Sequence, residues 1–129
     1  MNLLLDTHIW IWSKSDPKRI GSRVAKELSN EENELWLSPV STWEALMLYG
    51  KGRIRLHEDP AAWLSSATAN MREAPLTHEI VLAAQQLSWS HPDLADRFLA
   101  ATAQVLGLTL VTADERLLAL KDIAIMANR

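Results

Sequence analysis

The chain has 129 residues, of which 48% are hydrophobic and 22% charged, with a formal net charge of −3. That length fits one domain, residues 1–129, able to bury roughly two thirds of its unfolded surface without covalent staples. The absence of cysteine excludes a disulfide framework, a thiolate zinc site and a cysteine nucleophile, and the ordinary apolar share with a small net charge excludes a disordered chain.

Leu3-Leu4-Leu5 reads as a short strand closed by Asp6. It is too short for a secretory h-region and has no basic flank. No apolar run approaches the roughly 20 residues of a membrane span, so a cytoplasmic protein without a membrane partner is expected. Asp16-Pro17, Ser38-Pro39 and Asp59-Pro60 each place a capping side chain before a proline, whose missing N–H costs nothing at the first helical position. They predict helices over 17–29, 39–50 and 60–71, with Leu35–Leu37 as a strand between the first two. Pro75-Leu76 is a further strand candidate, suited to an edge. Thr77 opens a helix over 78–88. The alanine- and leucine-rich stretch over 93–106 is a helix closed by Gly107 in the left-handed region. Thr109–Val111 and Ile123–Met126 are strands, with a short helix near 115–120 between them. Strands apolar on both faces, alternating with helices, predict an α/β sandwich around a mainly parallel sheet.

In such sheets ligands bind beyond the carboxyl ends of the strands. Asp6 follows the first strand there, and Asp114 follows Leu110-Val111-Thr112 at the same rim. Glu44 sits among Val40, Ser41, Met47 and Leu48 on a helix stripe that should face the core, where an unpartnered carboxylate is costly. Asp96 repeats the pattern among Leu99, Ala100 and Ala103, with Asp93 one turn earlier as the N-cap. Local roles compete for each acid. Asp6 and Asp114 suit N-caps of the segments that follow them, Ser41-x-x-Glu44 is a capping box if its helix starts late, and Asp93 with Asp96 suits an acidic first turn.

Four clustered carboxylates would repel and take up protons unless cations held them ionised. An oxygen-only set selects a hard ion, Mg²⁺ or Mn²⁺, and such ions suit in-line displacement at phosphorus by water. Taking the four acids out of the count turns −3 into +1, so the remainder is slightly basic. Lys51, Arg53 and Arg55, just beyond the Glu44 helix, are candidates to track a phosphate backbone, and Arg97 is a fourth.

The blocks Leu3-Leu4-Leu5-Asp6-Thr7-His8, Ser41-Thr42-Trp43-Glu44, Asp96–Ala103 and Leu110-Val111-Thr112-Ala113-Asp114, in that order and spacing, resemble the PIN domain. The likeness spans essentially the whole chain and is nearest to the VapC ribonuclease toxins. It implies a three-layer α/β/α sandwich and Mg²⁺- or Mn²⁺-dependent endoribonuclease activity, with a homodimer neutralised by a VapB-type antitoxin. By position, Asp6, Glu44, Asp96 and Asp114 correspond to the family's acidic metal-binding residues. Thr112 and Thr7 match small polar residues beside the last and first acid, and Asp93 an outer acid. His8 and His91 recur in similar places, yet a lone histidine is more often structural, and neither is assigned to catalysis.

A rival from another class is a non-catalytic module of the same fold that binds a partner protein. It draws on Trp10 and Trp12 after Asp6 and on Trp43 beside Glu44, since tryptophan is enriched in binding hot spots. A phospho-receiver domain fits less well, because Lys121 is the only late lysine and is poorly placed for that chemistry.

Overall fold

The computed structural model describes residues 1–90 and 92–129; His91 lies outside the described residues. Among the described residues the chain forms five strands, β1 (Asn2–Leu5), β2 (Glu34–Leu37), β3 (Arg72–Glu73), β4 (Thr109–Thr112) and β5 (Ile125–Ala127). Seven helices join them: α1 (Thr7–Ser15), α2 (Ser22–Ser29), α3 (Pro39–Gly50), α4 (Pro60–Ala67), α5 (His78–Gln86), α6 (Leu94–Leu106) and α7 (Glu115–Leu118). The strands make one sheet in the order β3-β2-β1-β4-β5, and every neighbouring pair is parallel.

Strand β1 lies at the centre, with Leu4 opposite Trp36 of β2 on one side and Leu110 of β4 on the other. Side chains alternate across a strand, so its three leucines serve two cores. Leu3 and Leu5 pack with Ile9, Trp10, Val24, Leu37 and Ala45 under α1 to α4. Leu4 packs with Leu99, Ala100, Ala103, Leu110 and Leu117 under α6 and α7. Helix α5 then packs on α6 through Ile80, Ala84 and Ala101. Both faces of the sheet are therefore covered, as the buried Leu3-Leu4-Leu5 of its central strand requires, and the architecture is the expected three-layer α/β/α sandwich. No helix of the described residues is long and apolar enough to cross a membrane.

Several elements differ from the sequence expectation. The stretch over 17–29 is not one helix but a single 3-10 turn at Pro17–Arg19 followed by α2. The break falls at Gly21, whose N–H donates to Asn128 Oδ1 at 2.7 Å, while Asn128 Nδ2 donates to the carbonyl of Arg19 at 2.8 Å. A Cβ at Gly21 would stand 2.0 Å from the carbonyl carbon of Arg129, so the chain end occupies the space a side chain would need. Conversely, residues 7–15 form a full helix, capped by Asp6. The edge strand is Arg72–Glu73 rather than Pro75-Leu76, paired with Trp36 and Leu37. Helix α4 ends at Ala67, and β5 begins at Ile125. Gly107 takes the expected left-handed conformation at φ 67°.

Trp10 is fully buried, packs with its ring centroid 5.1 Å from that of Trp63 and donates its Nε1–H to the carbonyl of Ala67 at 3.0 Å. It ties α1 to α4. Trp10→Ala should cost about 3–5 kcal/mol, and Trp10→Phe about 1–3 kcal/mol through the unpaired Ala67 carbonyl, read as shifts in urea midpoints. A loss below 1 kcal/mol for the alanine variant would contradict this role.

Candidate active site

From the central strand β1 the chain steps to β2 on one side and later returns through β4 on the other. The connections leaving β1 and β4 diverge, which opens a crevice above the carboxyl ends of these strands. Asp6 is held at its base. Its backbone N–H donates to the carbonyl of Val111 of β4 at 2.9 Å, and the residue is 9% exposed. Oδ1 accepts from the N–H of Thr7 at 2.8 Å, and Oδ2 accepts from Thr112 Oγ1 at 2.7 Å. That hydroxyl in turn accepts from the N–H of Asp114 at 3.0 Å. One buried threonine at the end of β4 thus fixes both the first and the last of the four candidate acids.

Glu44 arrives from α3. This helix starts at Pro39, with Ser38 Oγ accepting from the N–H of Val40 at 3.1 Å, so Ser41 and Glu44 do not form a capping box. Glu44 Oε1 instead accepts from Thr7 Oγ1, and that hydroxyl lies 2.9 Å from Ser41 Oγ. Asp96 arrives from α6, which Asp93 caps by accepting from the N–H of Asp96 at 3.1 Å. The Asp96 side chain is 13% exposed. Asp114 caps α7 through the N–H of Arg116 at 2.9 Å. Asp6, Glu44, Asp93, Asp96 and Asp114 all line one cavity of about 470 Å³, together with His8, Trp12, Arg19 and Arg116. Thr7 and Thr112 bond two of these acids from beneath.

The N-cap roles that competed in the sequence are therefore real for Asp6, Asp93 and Asp114, and they do not scatter the acids. A cap stands at the start of its helix, and three helices start at this rim.

Burial pushes the Asp6 carboxyl above its ordinary value; hydrogen bonds from Thr112 and Thr7 and the proximity of His8 pull it back, while Asp114 adds to the rise. Glu44 is likewise raised, chiefly by burial, with the Thr7 hydroxyl opposing and the charges of Asp6, Asp93 and Asp96 adding. Sequence reasoning missed Arg116, a resident counter-charge. Its Nη2 lies 3.2 Å from Asp114 Oδ2 and 4.0 Å from Asp96 Oδ2, and these acids raise its own pKa, Asp114 foremost. Its place two residues after Asp114 was the available signal.

As the side chains stand, no three acidic or imidazole groups among the described residues form a ready ligating cluster. The acids ring a cavity rather than close a shell. The donor set nevertheless fits a hard divalent ion, since carboxylate oxygens dominate the lining and the buried ones resist ionising without a cation.

The candidate nucleic-acid contacts separate. Arg53 and Arg55 line an adjoining groove. Lys51 is exposed at the C-cap of α3. Arg97 is engaged elsewhere in the fold. Its guanidinium donates to the carbonyls of Ala84 at 2.7 Å, Leu87 at 3.3 Å and Trp89, and so locks the end of α5 onto α6.

The sequence profile of the PIN domain family matches residues 3–123. The chain is 34% identical over 116 residues to the Mycobacterium tuberculosis protein named ribonuclease VapC22, covering 89% of this chain and 88% of that protein. Its fold is similar to a chain of VapBC2 from Rickettsia felis bound to a promoter DNA fragment, with a TM-score of 0.72 at 16% identity and 98% of each chain covered. A chain of a toxin–antitoxin complex from Klebsiella pneumoniae gives a TM-score of 0.72 at 18% identity, again with 98% of each chain covered.

The raised carboxyls fix the sign of a pH effect. A folded state that keeps protons on Asp6 and Glu44 above their ordinary values of 3.8 and 4.5 is favoured at low pH. It loses that advantage as pH rises through the folded values. In chelator, Asp6→Asn should therefore gain stability relative to the parent as pH rises from about 4 to about 8. Urea melts at each pH check this; a difference that is flat or shrinks over that range rejects the assignment.

Proposed function

This chain belongs to the PIN domain family, and on that footing we propose that it is an endoribonuclease that hydrolyses RNA phosphodiester bonds with Mg²⁺ or Mn²⁺. The observation that carries the proposal is the meeting of Asp6, Glu44, Asp96 and Asp114, from four separate parts of the chain, around one cavity. The likeness to a protein named as a ribonuclease supports the choice of RNA as substrate. Asp6, Glu44, Asp96 and Asp114 would hold the cation. When bound, a divalent ion supplies Lewis acidity at the phosphate and eases deprotonation of the attacking water. The protein's part is preorganisation. Thr112 and the Thr7 N–H hold Asp6 in one orientation, the Thr7 hydroxyl holds Glu44, and Asp93 seats the first turn of α6 so that Asp96 enters the cavity. Arg116, whose guanidinium stands beside Asp114 and Asp96, would offer its donors to a phosphate oxygen at the same rim.

The same reading makes the chain the toxin of a toxin–antitoxin pair, with a VapB-type antitoxin and a second copy of the chain as partners. Similar folds occur in solved toxin–antitoxin assemblies. The surface carries large apolar side chains for partners to cover: Trp43 is 63% exposed beside Glu44, and Leu94 is 66% exposed at the start of α6.

Loss of an outer-sphere partner typically costs 10–100-fold in metal affinity or activity, so loss of a direct ligand should cost at least about a hundredfold. Asp6→Asn and Glu44→Gln should each lower Mn²⁺-dependent cleavage of single-stranded RNA by that much while circular dichroism stays that of the parent, and EDTA should abolish cleavage by the parent. Cleavage that survives EDTA or Asp6→Asn rejects the proposal. Tight Mn²⁺ binding without cleavage of any RNA would favour a non-catalytic interaction module instead.

A further inference from the structure

Next to the acid cavity lies a second groove of about 620 Å³, within the roughly 300–1,000 Å³ usual for ligand clefts. The two share His8, Trp12 and Arg19 as a common wall. Their electrostatics are opposite. Five carboxylates line the acid cavity, whereas Lys14, Arg19, Arg53 and Arg55 line the groove with Asp16 as its one carboxylate. An aromatic column runs along the shared wall. The Arg19 guanidinium lies 4.1 Å from the Trp12 ring centroid, and the His8 ring is 5.7 Å from that of Trp12. Trp63, braced against buried Trp10, lines the groove as well.

We propose that this groove is the track for single-stranded RNA flanking the scissile phosphate, with the Trp12–Arg19 stack as a base-stacking platform and Arg53 and Arg55 as phosphate contacts. The inference rests on the nuclease reading and extends it to how substrate is held. Each feature has a separate reason. Aromatic and guanidinium planes accept bases of any identity, which suits a strand whose bases are unstacked. Arg53 and Arg55, both lining the groove, offer cations to a repeating anionic backbone. A duplex keeps its bases stacked and offers this column nothing. The shared wall makes the path continuous: a strand lying in the basic groove runs past Arg19 directly into the acid cavity. The local basic field also offsets the repulsion that five carboxylates exert on an incoming phosphate.

The test is fluorescence anisotropy with labelled single-stranded RNA of about eight nucleotides, within the range of single-strand sites, in EDTA so that binding is read without hydrolysis. Arg53→Gln/Arg55→Gln alters two exposed side chains of the α3–α4 connection, away from the core. It should weaken binding at least about tenfold and make the log–log salt slope shallower by about 1.4, at about 0.7 per phosphate contact. Trp12→Leu should weaken single-strand binding about tenfold and leave duplex binding as it was. Unchanged affinity and slope in the double variant overturn the proposal even where the parent cleaves RNA, and a groove made for a protein segment would give that same result. A parent that binds through these residues but cleaves nothing with Mn²⁺ removes the nuclease reading and leaves the strand track standing.

Discussion

Everything at the candidate site turns on carboxylates gathered at one rim, the innermost of them buried and others partly so. An acid lifted out of water alone takes up a proton rather than stay charged, and Asp6 and Glu44 are both pushed that way. The fold opposes this with donors set at fixed points. Thr112 donates its O–H to Asp6 and accepts from the amide of Asp114, while Thr7 donates its O–H to Glu44. Two hydroxyls thus hold three acids in register. Neither donor supplies a full positive charge, so the arrangement stabilises the carboxylates only in part, and the proposed divalent cation would supply the rest.

The parallel sheet explains why such crowding is possible. Connections leave β1 and β4 at the same edge, and the reversal of strand order between β2 and β4 separates the helices they feed. Helices α1, α6 and α7 all begin at this rim, capped by Asp6, Asp93 and Asp114. A helix N-terminus carries a partial positive charge and unsatisfied N–H groups. Capping and ion binding are therefore not alternatives here. The capping geometry brings the carboxylates together and supplies part of the positive potential that tolerates them.

Much of this was legible in the sequence because its causes are local. Three leucines before Asp6, proline after a capping residue at Ser38-Pro39, and glycine after the alanine-rich stretch each act within a few residues. Glu44 and Asp96 stood out as acids on apolar helix stripes, and both line the cavity. What the sequence hid was set by distant parts of the chain. The break at Gly21 exists because Asn128 and Arg129 occupy its surroundings. The edge strand Arg72–Glu73 is polar and two residues long, too short to show a hydrophobic period. Arg97 read as a cation for phosphate, yet it satisfies carbonyls at the end of α5, a contact with no signature in spacing. Arg116 pairs with Asp114 two residues before it, a local signal, but its reach to Asp96, 20 positions earlier, exists only once the fold brings the two together.

Net charge was the least informative number of all. A total of −3 describes a chain indifferent to polyanions, but the molecule separates its charges by location. Five acids converge at the carboxyl edge of the sheet, where backbone geometry places them, and Arg19, Arg53 and Arg55 stay outward on the Pro17–Arg19 turn and the α3–α4 connection. Charge that must be held in one geometry has to sit on rigid elements, because positioning there costs little further entropy. Charge that only has to attract can sit on connections, where side chains adapt to a flexible strand. Here the cavity acids sit within helices or on the caps that open them, and Arg19, Arg53 and Arg55 of the groove sit on the 3-10 turn and the α3–α4 connection, so the division of labour follows from which charges need precise placement and which do not.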